Sequence, residues 1–180
     1  ELCIPRKSKI IISVGRICEH KRQDFIVKSI GPILKQNNLH LLLVGDIDFI
    51  NKNDKTLERI YFYIKKYDIK PFVKLIGYRK DVQNLMRISD IFVHSTLTEA
   101  FGLVLIEAMA MGLTVISSKV EAIPELVKEP DNFLVRLDDH KSFRRSVETA
   151  LSRTNKLKEE VSNRNIRIGK SKKFSSITRA

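Results

Sequence analysis

Residues 39–45 read Leu-His-Leu-Leu-Leu-Val-Gly, apolar at consecutive positions rather than at every second one. A strand with one wet face alternates; one that is apolar nearly throughout is covered on both faces. Residues 114–118, Thr-Val-Ile-Ser-Ser, have the same character. Outward from these two runs, β-branched stretches recur between helical patterns. Strands are expected at 10–14, 39–44, 73–76, 91–94, 114–117 and 133–135. Helices are expected near 23–36 and 55–67, from Asp81, across 103–111, from Pro124 and from about Lys141, with Asp81 as an N-cap, Gly112 as a helix stop and Pro124 at a helix start. Repeated β-α units predict an α/β domain, a doubly wound parallel sheet of Rossmann-like type. Ligands of such sheets bind beyond the carboxyl ends of the strands, where Gly15, Gly45, Gly77, Ser95 and Ser118 all fall.

The length, 180 residues, suits one domain, placed at 1–154, followed by a basic helix or linker at 155–180. Charged residues make up 30% and hydrophobic ones 43%, and no apolar run approaches the roughly 20 residues of a membrane-spanning helix. The chain starts at Glu1 without a signal-peptide pattern, and is expected to be a piece of a longer one. Cys3 and Cys18 form no framework and no metal-like spacing, which fits a reducing, cytoplasmic setting. The net charge is +12; residues 153–180 hold nine Lys or Arg against Glu159 and Glu160, so +7 of it sits there. With no Tyr or Trp to stack bases and no recognition motif elsewhere, specific nucleic acid is not expected as a partner; peripheral contact with a membrane is.

Chemistry concentrates in residues 95–112, Ser-Thr-Leu-Thr-Glu-Ala-Phe-Gly-Leu-Val-Leu-Ile-Glu-Ala-Met-Ala-Met-Gly. The helix opening after Gly102 is apolar all round, so burial is expected and Glu107 should lie away from water, in need of a partner. Helical side chains lean toward the N-terminus, which brings Glu107 toward the unpaired amides at the helix entrance. Such an entrance suits a phosphate, and a carboxylate beyond it suits the hydroxyls of a ribose or hexose: together, a sugar nucleotide. The competing reading pairs Glu107 with a cation in the core and leaves Glu99 solvated on its loop.

Residues 14–25 (VGRICEHKRQDF), 41–46 (LLLVGD), 73–82 (VKLIGYRKDV), 88–118 and 122–127 (AIPELV) resemble, in order and spacing, the C-terminal donor-binding half of GT-B glycosyltransferases, especially the retaining family 4 enzymes. The resemblance spans about 10–139. It implies that Arg16 and Lys21 neutralise the donor diphosphate, that Glu99 holds the donor-sugar hydroxyls and Glu107 the ribose, and that the backbone of Ala100, Phe101, Gly102 and Leu103 faces the distal phosphate or sugar. Arg16, Lys21 and Glu99 would form the catalytic set. Gly77-Tyr78-Arg79 would form the nucleobase edge, with Arg79 either stacked on the base or solvated. The implied reaction moves a hexosyl group from a UDP-, GDP- or ADP-sugar to a sugar or lipid-linked acceptor held by an N-terminal half, so this chain alone would bind donor and turn over poorly or not at all. No cofactor or metal is implied. The alternatives are a nucleotide-sugar epimerase of GT-B fold and a non-catalytic nucleotide-binding or regulatory module.

The chain departs from the family pattern at three places: Glu121-Ala122 replaces a Gly-Gly, Arg22 a Gly, and Ile47-Asp48 a Gly-Pro. Asp46-Ile47-Asp48 mimics a D-x-D metal site but falls after the second strand, away from the Glu99 loop. The four histidines lack metal-ligand spacing; His94, at a strand end, reads as a hydrogen-bonded structural residue. Gly15-Arg16-Ile17 is no G-x-G-x-x-G, which argues against a nicotinamide or flavin dinucleotide.

Overall fold

The computed structural model describes residues 2–47 and 53–152. Six strands are present: β1 (Lys9–Val14), β2 (Leu39–Val44), β3 (Val73–Leu75), β4 (Ile91–His94), β5 (Thr114–Ser118) and β6 (Phe133–Val135). Six α-helices alternate with them: α1 (Gln23–Leu34), α2 (Thr56–Lys66), α3 (Val82–Arg87), α4 (Leu103–Ala110), α5 (Ile123–Leu126) and α6 (His140–Ser152). Each expected strand and helix is found, with ends displaced by a residue or two. The expected domain boundary at 154 and the basic segment 155–180 lie outside the described residues.

All strand pairs are parallel, in the order β3-β2-β1-β4-β5-β6. The continuous apolar runs are divided between two cores by the two-residue period of a strand. Ile11, Leu41, Leu43, Ile91, Val93 and Ile116 pack with α1, α2 and α6 through Phe25, Ile30, Ile60, Phe143 and Val147. Ile12, Leu42, Val44, Phe92 and Val115 pack on the other face with α3, α4 and α5 through Met86, Leu105, Met109 and Ile123. A purely alternating strand would have left one of these helix layers with nothing apolar to cover.

Chain order reverses at β1, which is flanked by β2 on one side and β4 on the other. Loops leaving β1 and β4 therefore turn toward opposite faces and open a crevice between them, the position where doubly wound sheets bind ligands.

One expectation is corrected by α4. Leu105, Ala108 and Met109 are buried, at the i, i+3, i+4 spacing of a single inward stripe. The opposite face is open: Phe101 is 75% and Leu103 65% exposed, and Glu107 is exposed as well. Glu107 is thus neither isolated in the core nor salt-bridged there, because an apolar outer face on a helix does not by itself bring another element down upon it.

Among the described residues no helix is long and apolar enough to cross a membrane.

Candidate functional site

Two joined recesses form a trough along the carboxyl ends of β1, β2 and β4, sharing Val14 and Gly15 as their floor. The first, about 270 Å³, is lined by Arg16, Gly45, Asp46, Tyr78, Arg79 and Val82. The second, about 470 Å³, is lined by Lys21, Glu99, Phe101, Leu103, Val104 and Glu107. Arg16 and Lys21, expected side by side, are placed in different recesses. A larger groove of about 660 Å³ runs between α2 and the edge strand β3. It lies on the flank of the sheet and holds none of the residues singled out by sequence, so we place the chemistry at the switch point.

The centre of the second recess is an ion pair. Lys21 Nζ donates to Glu99 Oε2 at 2.7 Å, with both side chains largely shielded from solvent. The other carboxylate oxygen, Oε1, accepts the Gly102 amide at 3.1 Å, so Glu99 caps the entrance of α4. That amide, expected to be open to a ligand, is occupied in this state; Leu103 and Val104, next in the helix's first turn, line the recess. Gly102 takes φ +61, and a Cβ there would come within 2.8 Å of Leu126 Cδ1. His94, the Lys21 ammonium and the Gly102 amide together hold the Glu99 carboxyl far below the usual carboxylate range, against the opposing effect of burial.

Main-chain ties hold the two loops together. Gln23, buried at the start of α1, donates from Nε2 to the Arg16 carbonyl at 2.7 Å and the Gly15 carbonyl at 3.3 Å, while its Oε1 accepts the Cys18 amide at 3.4 Å. The His20 carbonyl accepts the Leu97 amide at 3.0 Å, and the His20 Nε2 and Thr98 hydroxyl lie 3.0 Å apart. Ser118 Oγ accepts the Thr96 amide at 3.1 Å and donates to the Thr96 carbonyl at 3.0 Å. None of these ties carried a signal in the sequence, because each has at least one main-chain partner or joins loops of different β-α units.

Two of the three departures at glycine positions are compensated. Glu121, where a Gly is usual in the resembling enzymes, takes φ +40 and accepts the Glu99 amide at 2.6 Å through Oε2. Arg22 takes φ +53 as the residue preceding α1, pairs with Asp138, and lays its guanidinium 4.9 Å over the Phe25 ring. The left-handed conformation costs about 1–2 kcal/mol for a non-glycine residue, and the cation–π contact returns about 0.5–1 kcal/mol of it. Arg22→Ala keeps the strain and loses both contacts, so it should unfold at lower urea than the parent by about 1–2 kcal/mol. Arg22→Gly relieves the strain and should lie between the two. Equal midpoints for the Ala and Gly variants would show that the backbone is not strained.

In the first recess Arg79 forks onto Asp81, Nε and Nη2 each donating at 2.7 Å, on a half-exposed surface. Its guanidinium is held by a carboxylate at the exposed edge of the recess. Asp81 precedes α3 as expected, yet makes no side-chain cap bond because its carboxylate is turned to Arg79. Asp46 Oδ1 accepts the Tyr78 amide at 3.2 Å; Asp48 lies outside the described residues. Among the described residues no group of three His, Cys, Asp or Glu is placed to hold a metal ion.

The six-stranded parallel sheet, with its trough at the switch point, is an α/β domain of Rossmann-like type, and the comparisons give its family. The chain belongs to the glycosyl transferases group 1 family, which matches residues 1–167. It is 31% identical over 146 residues to the Escherichia coli UDP-Gal:α-D-GlcNAc-diphosphoundecaprenol α-1,3-galactosyltransferase, covering 79% of this chain and 36% of that protein. The Bacillus anthracis N-acetyl-α-D-glucosaminyl L-malate synthase is 31% identical, over 73% of this chain and 32% of its own length. The chain thus spans about a third of these relatives. The crystal structure of a Rickettsia africae glycosyltransferase superposes with TM-score 0.83 at 22% identity, covering 93% of this chain and 44% of that one. The separately crystallised C-terminal domain of a group 1 glycosyl transferase from Francisella tularensis superposes with TM-score 0.80 at 22% identity, covering 94% of this chain and 87% of that domain. The α/β fold with its parallel sheet is the one expected from the sequence.

Proposed function

We propose that this chain is the donor-binding half of a retaining hexosyltransferase and that the trough takes a UDP-sugar. The observation that carries the reading is the Lys21–Glu99 pair at the β1/β4 switch point: a cation for a diphosphate and a carboxylate for sugar hydroxyls, side by side in one recess. The E. coli relative, whose name specifies UDP-Gal, supports uracil as the base and galactose as a candidate sugar.

In this reading Lys21 and Arg16 bind the diphosphate, Glu99 the sugar hydroxyls, Glu107 the ribose, and the Gly77-Tyr78-Arg79 recess the base. The entrance of α4 at Ala100–Leu103 faces the distal phosphate. As the C1–oxygen bond to the diphosphate breaks, the electron pair leaves on a phosphate oxygen; cations already in place stabilise that charge without reorganisation. The acceptor oxygen forms the new bond to C1 and passes its proton to the departing phosphate oxygen. The exposed apolar mouth, Phe101 and Leu103, would face an acceptor domain, and a lipid-linked acceptor is favoured by the diphosphoundecaprenol in the name of the E. coli relative. A lipid-linked acceptor would bring the site to a membrane surface, and the proposal puts it on the cytoplasmic side.

Calorimetry of the 180-residue chain with UDP, GDP and ADP tests the donor class, and UDP should bind tightest. Glu107→Gln keeps the side-chain shape and loses the charge. The parent should prefer UDP over 2′-deoxy-UDP by about 1–2 kcal/mol, and the variant should bind both almost equally. No preference in the parent would remove Glu107 from the site.

A further inference from the structure

His94 closes β4 with only 2% of its surface exposed, and its Nε2 has no hydrogen-bond partner. A buried polar atom left unpaired is costly and calls for an explanation. The roles given above make no use of it. Yet Nε2 lies 3.4 Å from Glu99 Oε2, the oxygen that also accepts Lys21 Nζ at 2.7 Å. That separation is at the long limit for a hydrogen bond, so the imidazole already helps keep the carboxyl ionised but does not bond it closely.

A donor diphosphate changes this balance. Lys21 has one compact ammonium on a flexible stem, and turning it to a phosphate withdraws it from Glu99. Oε2 would then be a shielded carboxylate oxygen without its close partner, at the moment it must face sugar hydroxyls. We propose that His94 is a positioning residue that takes over Glu99 Oε2 when the donor's diphosphate draws Lys21 away. The inference rests on the donor reading above.

The electrostatics fit an uncharged imidazole in the empty site. Burial first, then Lys21 and His20, hold the His94 pKa below its ordinary value, and only Glu99 opposes them. The charged and titratable groups that face it are those three, from the loops after β1 and β4; the stacked Phe92 ring, centroid 6.3 Å away, is neutral. Departure of Lys21 removes one repelling charge. His94 should therefore bind a proton more readily in the occupied site.

The test separates this inference from the donor reading. In ligand-free protein, Lys21→Met imitates the withdrawn ammonium. Nitrogen-15 and proton spectra of the imidazoles should show the His94 Nε2 proton moving downfield and the ring titrating at higher pH than in the parent. An unmoved Nε2 proton would overturn the proposal, whatever the protein binds. With UDP and UDP-galactose as probes, His94→Leu should lose about tenfold of the affinity that the sugar adds, the scale of one charge-assisted hydrogen bond, while UDP alone binds within about twofold of the parent. His94→Gln, whose amide nitrogen reaches the Nε2 position, should restore the sugar's contribution; equal loss of UDP and UDP-galactose in both variants would mark His94 as structural only. Absence of UDP binding to the parent would overturn the donor reading, while the imidazole spectra would still decide the His94–Glu99 contact.

Discussion

Gly45→Ala should destabilise the protein by about 3 kcal/mol or more, because its Cβ has nowhere to go. Built on this backbone, that Cβ would meet the Gly15 carbonyl oxygen at 2.2 Å, the Gly15 carbonyl carbon at 2.6 Å and the Arg16 nitrogen at 3.1 Å. All three are main-chain atoms, so no side chain can swing aside. The same spot is a junction of strand ends: Gly15 N–H donates to the Val44 carbonyl at 2.9 Å, Gly45 N–H to the Gly77 carbonyl at 2.8 Å, and Ile17 N–H to the Asp46 carbonyl at 2.7 Å. Separating the β1 and β2 loops would break the first and third of these bonds and widen the recess that holds Arg16. Gly77→Ala is the control, since φ there is +66 but nothing lies within 4 Å of an added Cβ. It should cost about 1–2 kcal/mol, the backbone penalty alone. Urea unfolding reads both. A Gly45 variant no weaker than the Gly77 variant would mean that the two loops are free to part.

The fold was legible because its signals are local and redundant. Six apolar runs, helical periods between them, and residues such as Gly15 and Ser118 at strand ends all agree on one parallel sheet, and agreement of that kind is what specifies a fold. Glu99 was singled out by its place before an apolar helix, and Lys21 by the resemblance of its motif to the family's. Their direct contact was not legible, since they are 78 residues apart. Glu107 shows where composition misleads: α4 is apolar on all sides, and nothing in that pattern tells which side lacks a neighbour. The contacts of Gln23, Ser118 and Glu121 went unread for a related reason. Each is an ordinary polar side chain bonded to loop backbone, and such bonds leave no period behind. The left-handed conformations of Arg22 and Glu121 had one trace in the sequence, the replacement of a usual glycine, which told where strain would be but not what offsets it.

Lys21→Ala should weaken UDP binding by about 1.5–3 kcal/mol, roughly ten- to 150-fold, and leave uridine binding almost unchanged. The expected loss is a net quantity. In the parent, the ammonium is shared with Glu99 Oε2, 2.7 Å away, and a phosphate must compete with that carboxylate for it. The variant has no such pair to break, so it forfeits the phosphate contact but is spared that cost. In the empty protein the same substitution leaves Glu99 with the Gly102 amide and the nearby His94, which limits the damage to the fold. Lys21→Arg separates charge from shape: its planar fork keeps the positive charge but cannot place a single point donor where the ammonium stood, so it should recover only part of the affinity. Salt sharpens the reading, since the difference between parent and Lys21→Ala should shrink as ionic strength rises, whereas uridine binding should not respond. Equal losses for uridine and UDP, or a difference indifferent to salt, would remove Lys21 from the diphosphate and return it to the fold as a structural partner of Glu99.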